Sequence, residues 1–291
     1  MQVPVALDTG STDLWYSFGF YLTKFIIDGL GSGRVNPPGG IGQFNDTAIP
    51  LQLLYGDGSY DASGTIGVSP FKFSSYEVLR QAFLNVKRST IKGLDTYGIY
   101  GILGLSFDFG TASLINGAIK SKYGNSSTWG QSVLHNIFDQ HPNQPNFIAL
   151  SLSRTEDLED TKGGSFSIGD YHPNYTSVST EPQLAQFPEG GTRWTTLLES
   201  IIVGGRAIPV ISTIRGVPAG HGVALLDTGD PQAMFPTEVW DGIYSGIPGS
   251  VKYSEFGSTV WILPCNTTTI VELGFGYVTL PGLRSFLKNL N

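Results

Sequence analysis

The tripeptide Asp-Thr-Gly occurs twice in this chain, each time closing an apolar run: Ala6-Leu7-Asp8-Thr9-Gly10-Ser11 near the start and Leu225-Leu226-Asp227-Thr228-Gly229-Asp230 near the end. One copy is ordinary turn chemistry, since Asp and Gly both favour turns. Two copies in the same strand context suggest two carboxylates folded against each other. Like charges a few ångströms apart cannot both ionise cheaply, so one pKa rises and the pair shares a proton. Such a pair is acid and base at once. It can deprotonate a water while protonating a carbonyl oxygen, which is amide hydrolysis without a metal, a cofactor or a covalent intermediate. Thr9 and Thr228 suit the place after each Asp because a hydroxyl there can brace the opposite loop. Gly10 and Gly229 suit the next because a neighbouring carboxylate demands close backbone approach.

The elements that must hold these residues are predicted to be mainly β. Apolar runs of four to eight residues, bounded by Gly, Pro, Asn, Asp and Ser, recur at Val3 to Leu7, Ala48 to Leu54, Val68 to Phe73, Phe147 to Leu152, Ser165 to Ile168, Ile201 to Val203, Gly222 to Leu226 and Val260 to Leu263. Helices are expected only at Ser113 to Lys120, Ser132 to Asp139 and, after Pro236, Thr237 to Ser245. A chain of 291 residues with 38 glycines, 12% aromatic and 14% charged residues reads as globular, and its length suggests two lobes. The charged segment Arg154 to Gly164 is the expected hinge between an N-terminal lobe, 1–153, and a C-terminal lobe, 165–291. The retroviral arrangement, one such motif per chain in a homodimer, fails because both copies are present here.

Seventeen Lys and Arg against 24 Asp and Glu leave a net charge of −7, which offers no basic surface to a phosphate backbone, so nucleic acid is not an expected partner. The apolar stretch Tyr16 to Leu30 is broken by Lys24 and Asp28 and is too short to span a bilayer. No secretory leader follows Met1, yet sequons at Asn45, Asn125, Asn174 and Asn266 lean toward a secreted protein. The single cysteine, Cys265, is then either a buried free thiol or a residue whose partner lies outside this sequence. His135, His141, His172 and His221 have no metal-ligand spacing, and neither G-x-S-x-G nor G-x-G-x-x-G occurs.

The motifs taken together resemble those of the pepsin-like aspartic peptidases, especially the fungal secreted ones. Asp8 to Trp15 (DTGSTDLW) is similar to the family's first active-site loop, and Tyr55-Gly56-Asp57-Gly58-Ser59 to its β-hairpin flap. Gly101 to Leu105 (GILGL) resembles the strand threaded behind that loop, and Gly163 to Gly169 the crossover into the second lobe. Trp261 to Cys265 is similar to a late strand whose cysteine forms the second-lobe disulfide. The resemblance implies a bilobal fold with a central cleft, here incomplete at both termini, lacking the family's first strands and its closing strands.

It further implies an acid endopeptidase that works as a monomer on polypeptides, outside the cell, with Asp8 and Asp227 activating water and no cofactor. Thr9, Gly10, Ser11, Thr228, Gly229 and Asp230 would support the dyad. Tyr55, Gly56, Asp57, Trp15, Ile99 and Ile102 would cover and bind substrate, with bulky apolar residues preferred beside the cut. Trp15 fits either a core position or the fixing of the Tyr55 hydroxyl, and Tyr55 itself could be a core strand tyrosine. One position departs from the pattern: Asp230 stands where the family places Thr or Ser. That departure keeps open a protease-fold binding or cell-surface protein without turnover.

Overall fold

Side chains alternate across a strand with a period of two, and strand β5 shows what that dictates here. Ile49, Leu51, Leu53 and Tyr55 turn to the core while Pro50, Gln52 and Leu54 turn outward, so Leu53 is 4% and its neighbour Leu54 61% exposed. The structure, a computed structural model, describes residues 3–17, 20–21, 34–35, 43–94, 98–152, 164–230, 232–255, 258–276 and 278–281. The predicted hinge therefore lies outside the described residues except for Gly164. Two compact units divide the chain. The first holds residues 1–144 with Thr192–Trp194 and Leu226–Gly229, and the second holds Pro145–Gly191, Thr195–Leu225 and Asp230–Asn291.

In the first unit the strands are β1 (Ala6–Asp8), β2 (Leu14–Ser17), β3 (Phe20–Tyr21), β4 (Arg34–Val35), β5 (Asn45–Tyr55), β6 (Tyr60–Phe73), β7 (Tyr76–Ser89) and β8 (Gly101–Gly104). Six of them form one sheet in the order β1-β8-β2-β7-β6-β5, and β3 pairs with β4. Strand β8 lies between β1 and β2, parallel to the first with Asp8 opposite Gly104, and antiparallel to the second with Leu14 opposite Leu103. Helix α1 (Leu114–Tyr123) starts where the Ser113 hydroxyl accepts the Asn116 N–H, and it ends at Gly124. Its Ile115 and Ile119, one turn apart, enter a core with Trp15, Ile66, Leu84, Ile102 and Trp129. Helix α2 (Val133–Gln140) is capped likewise by Ser132.

The second unit is built from β9 (Ile148–Ser151) with β10 (Ser165–Ile168), β11 (Thr195–Leu198) with β14 (Gly222–Leu225), and β15 (Val251–Glu255) with β16 (Ser258–Ile262). A four-stranded sheet has the order β13 (Arg206–Ile208), β12 (Ser200–Val203), β17 (Val271–Phe275), β18 (Val278–Pro281). A 3-10 segment spans Pro173–Thr180, and helix α3 (Thr237–Ser245) lays Val239 and Ile243 on a core with Ile201, Val203 and Val271.

The fold is thus mainly β, as the apolar rhythm predicts, and β10 and α3 have the predicted bounds. The expected strand at Val3 to Leu7 is shifted to Ala6–Asp8, because pairing with β8 sets its length. Strand β7, one of the two longest, is absent from the apolar runs because Glu77, Arg80, Gln81, Lys87 and Arg88 interrupt it. It persists because β6 pairs with it along most of its length and β2 along part. Burial rather than residue type should therefore set the cost of truncation. Ile66, fully buried, is expected to lose about 2–5 kcal/mol of stability as Ile66→Ala, while Leu79→Ala, at a position 75% exposed, stays within about 0.5 kcal/mol of the parent; urea unfolding of both variants measures the contrast.

Candidate active site

The first Asp-Thr-Gly loop is fixed by backbone before any side chain acts. Strand β1 ends at Asp8, whose carbonyl accepts the Leu105 N–H at 2.8 Å, and Ser11 and Asp13 carbonyls accept those of Ser106 at 2.9 Å and Gly104 at 3.2 Å. The second loop, Leu226–Gly229, belongs to the same compact unit as the first. It is tied in through Leu226, which donates to the Trp194 carbonyl at 2.9 Å, while Trp194 Nε1 donates to the Leu105 carbonyl at 2.9 Å.

The two threonines then exchange bonds across the loops. Thr9 Oγ1 donates to the Leu226 carbonyl at 2.6 Å and Thr228 Oγ1 to the Leu7 carbonyl at 2.6 Å. In return Thr9 Oγ1 accepts the Thr228 N–H at 2.9 Å, and Thr228 Oγ1 accepts the Thr9 N–H at 3.2 Å. The same duplicated geometry places the carboxylates, since Gly10 N donates to Asp8 Oδ1 and Gly229 N to Asp227 Oδ1, both at 2.8 Å. A Cβ on Gly10 would overlap the Asp227 carboxylate, and one on Gly229 the Asp8 carboxylate, so only glycine leaves room for the pair.

Asp8 is 5% exposed, and its carboxyl is pushed up to about 6, chiefly by burial. The Ser11 hydroxyl, which donates to Asp8 Oδ2, and the Gly10 N–H work against that shift, while the charge of Asp227 and a hydrogen bond with it add to it. Asp230 does something different from Ser11: one of its oxygens accepts the Gln232 N–H at 3.0 Å in a local turn.

Tyr55 ends β5, and Gly56 to Ser59 make the turn into β6, closed by Gly58 N donating to the Tyr55 carbonyl at 3.0 Å. Of the two roles open to Trp15, the structure shows both: it is buried in the core, and its Nε1 donates to the Tyr55 hydroxyl at 2.8 Å. Burial raises the Tyr55 pKa far above the phenol range, so the hydroxyl stays protonated. Asp57 Oδ1 accepts the Ser59 N–H at 3.0 Å, and its bonds with Ser59 hold its carboxyl below the usual range. Ile102 packs in the core beside Trp15, and half-buried Ile99 donates its N–H to the Leu94 carbonyl at 2.9 Å. Cys265 is exposed and free, so burial is not what leaves it unpaired. A cavity of about 540 Å³ beside Arg80, Trp129 and Gln140 includes none of the predicted site residues.

Two acids that sequence reasoning passed over support this site. Asp13 accepts the Ser113 hydroxyl at 2.6 Å and the Leu114 N–H at 3.0 Å, which fastens the end of the first loop to the start of α1. Its place inside the first motif was the available signal. Asp61 is the second residue of β6, just past the turn of the β5–β6 hairpin, where its carboxylate takes bonds from Thr90 at 2.8 Å, Gln52 at 2.9 Å and Arg88 at 3.0 Å. The Thr90 hydroxyl first, then Gln52 and Arg88, hold the Asp61 carboxyl below its usual range. Nothing in its sequence surroundings marks it, because Gln52 lies on β5, Arg88 on β7 and Thr90 just beyond β7.

The family model for eukaryotic aspartyl protease matches residues 1–280. The aspartic-type endopeptidase ctsD of Aspergillus fumigatus is 24% identical over 274 residues, which cover 94% of this chain and 50% of that protein. Major aspartyl peptidase 1 of Cryptococcus neoformans var. grubii is 22% identical over 284 residues, covering 94% of this chain and 52% of its own. The chain spans about half the length of these curated relatives. Among solved structures, the crystal structure of aspartic proteinase from Irpex lacteus is similar in fold, with a TM-score of 0.57 over 95% of this chain and 70% of that one, at 16% identity.

Burial raises two carboxyls in this site, since Asp13 as well as Asp8 is pushed up to about 6 from 3.8. Each takes up a proton on folding between those values, so the stability they contribute is full at the acid end and is lost as pH rises through about 6. Asp61 and Asp57, held low, act below that window. The urea midpoint is therefore expected to fall between about pH 4 and pH 7, and to fall less steeply in Asp13→Asn, which keeps an acceptor for Ser113 but cannot ionise. A midpoint that rises over that range would contradict this account.

Proposed function

Because the chain belongs to the eukaryotic aspartyl protease family, we propose that it is an acid endopeptidase in which Asp8 and Asp227 activate a water against a peptide bond. The observation that carries this reading is the reciprocal arrangement of the two loops, with each carboxylate seated in space that only the other loop's glycine leaves free. In the acid range the pair holds one proton. The ionised carboxylate takes a proton from water as the oxygen attacks the carbonyl carbon, and the protonated partner gives its proton to the carbonyl oxygen. When the tetrahedral diol collapses, the proton gained from water passes to the departing amine nitrogen and the C–N bond breaks. The carboxylate left ionised by the first step takes a proton from a diol hydroxyl as the carbonyl re-forms, which restores the starting pair. Metal, cofactor and covalent intermediate have no part in these steps.

Tyr55 and the hairpin that carries it would cover the substrate, a polypeptide, with bulky apolar side chains favoured on either side of the cut. Ile99, Ile102 and Tyr55 are the proposed apolar contacts. Asp57 is proposed to let Lys occupy the pocket before the scissile bond, since an ammonium passing an apolar wall gains from a carboxylate. The chain is proposed to act as a monomer outside the cell. Among the described residues no helix is long and apolar enough to cross a membrane.

A second reading, a protease-fold binding protein without turnover, is favoured by one observation. Asp8 receives the Ser11 hydroxyl, whereas the matching position after Asp227 is Asp230, an acid engaged with Gln232. The two readings separate on one assay, cleavage of denatured haemoglobin at acid pH with and without a statine-type inhibitor. Inhibitable cleavage that falls by at least about a thousandfold in both Asp8→Asn and Asp227→Asn is the expected result. Tight inhibitor binding with no cleavage would select the second reading. Asp230→Thr is expected to extend activity toward the neutral end of the acid range, and an unchanged pH–rate profile would show that Asp230 takes no part in the dyad's titration. Cleavage after Lys should be lost selectively in Asp57→Ala while cleavage after Leu survives; equal loss of both would assign Asp57 to the turn alone.

A further inference from the structure

Among the four sequons, that of Asn125 has a surrounding the others lack. Asn125 and Ser126 are the two corner residues of a turn closed by Ser127 N donating to the Gly124 carbonyl at 3.0 Å, and Asn125 is exposed. Two residues earlier stands Tyr123, 46% exposed although it ends helix α1. Trp129 supports the ring at 5.2 Å between centroids, tilted by 58°, so the phenol is held at the surface rather than free to sweep it. The Lys122 ammonium, 5.6 Å from the ring centre, is held by the Thr47 carbonyl at 3.0 Å. The turn is pinned to the helix end by the Ser127 hydroxyl, which donates to the Tyr123 carbonyl at 3.2 Å, and by Gly124 N, which donates to the Lys120 carbonyl at 2.9 Å.

The other three sites are built differently. Asn45 lies in β5, paired with Val68, where its backbone belongs to a strand and not to a turn. Asn174 sits inside the 3-10 segment, and Asn266 follows Pro264-Cys265. None of the three has Phe, Tyr or Trp two residues before the asparagine.

We infer that Asn125 is an N-glycosylation site whose first sugar packs on Tyr123, so that the glycan stabilises the α1 terminus. The step uses a polyprenyl-pyrophosphate oligosaccharide as donor. Asn125 Nδ2 bonds to C1 of its first N-acetylglucosamine, the C1–O bond to pyrophosphate breaks, the lipid pyrophosphate leaves with the electron pair, and the amide gives up one proton. A sugar's C–H face suits an aromatic face because apolar area is covered while its hydroxyls stay in water. The inference rests on the extracellular placement proposed above. Supplying a secretion leader to the full chain in a eukaryotic host therefore separates failure of the modification from failure of that placement.

Trimming the secreted protein with an endoglycosidase that leaves the first sugar, then sequencing its peptides by mass spectrometry, is expected to find one N-acetylhexosamine on Asn125. A secreted chain unmodified there overturns the inference, whatever the other three sequons carry. The second measurement is a thermal cycle on untrimmed protein. Asn125→Gln is expected to lower the Tm by about 2 °C or more when Tyr123 is present, and by less than half as much in the Tyr123→Ala background. An equal drop in both backgrounds would overturn the packing of the sugar on Tyr123. Occupancy is read on denatured peptides, so a poorly folding variant does not obscure it.

Discussion

The reciprocal bonds between Thr9 and Thr228 are the constraint on which the rest of this site depends. Each hydroxyl gives its proton to a carbonyl of the opposite loop and accepts the other threonine's N–H, so neither loop can shift without breaking several bonds at once. These bonds lie in partly buried surroundings, where an unmade bond costs about 1–3 kcal/mol because water cannot replace it. The consequence is positional: carboxylates attached to such loops approach each other by backbone construction and do not rely on their own attraction, which as like charges they lack.

That forced approach explains the electrostatics. A carboxyl as buried as Asp8 would release its proton with difficulty even alone, and the neighbouring Asp227 adds to the effect. Ser11 and Gly10 offset part of it by donating to the ionised form. The result is an Asp8 carboxyl that keeps its proton up to about pH 6. The proposed acid–base chemistry at a peptide bond needs a carboxyl that holds a proton in the acid range, which an exposed aspartate does not provide.

Support for the dyad reaches outward through hydroxyls and helix ends. Trp15, fixed in the core by its packing, fixes the Tyr55 hydroxyl, while Ser11 donates to Asp8. Asp13 joins the first loop to α1, and Asp61 fastens the turn end of the hairpin to β7 through Arg88 and to Thr90 just beyond it. The hairpin and the first loop are thus each tied to the surrounding strands and helix by buried or half-buried polar groups.

The sequence by itself determined the residue types and their repetition. Two Asp-Thr-Gly motifs, the Tyr55 hairpin and the apolar punctuation of a β protein are visible without coordinates, because turn chemistry and period-two alternation are local properties. Helix α3 was legible for the same reason, with Pro236 at its start and a continuous helical run behind it. Only the tertiary structure decided which polar groups meet. Strand β7 is interrupted by charges and exists because β6 and β2 pair with it. Asp13 and Ser113 are a hundred positions apart, and Asp61 draws its partners from other strands. Asp57 and Asp230 could be recognised in the sequence as unusual acids, but not as carboxylates accepting the N–H groups of Ser59 and Gln232. Hydrogen bonding across loops depends on ångström-scale placement that chain spacing does not encode, so the chemistry was readable early and its positioning was not.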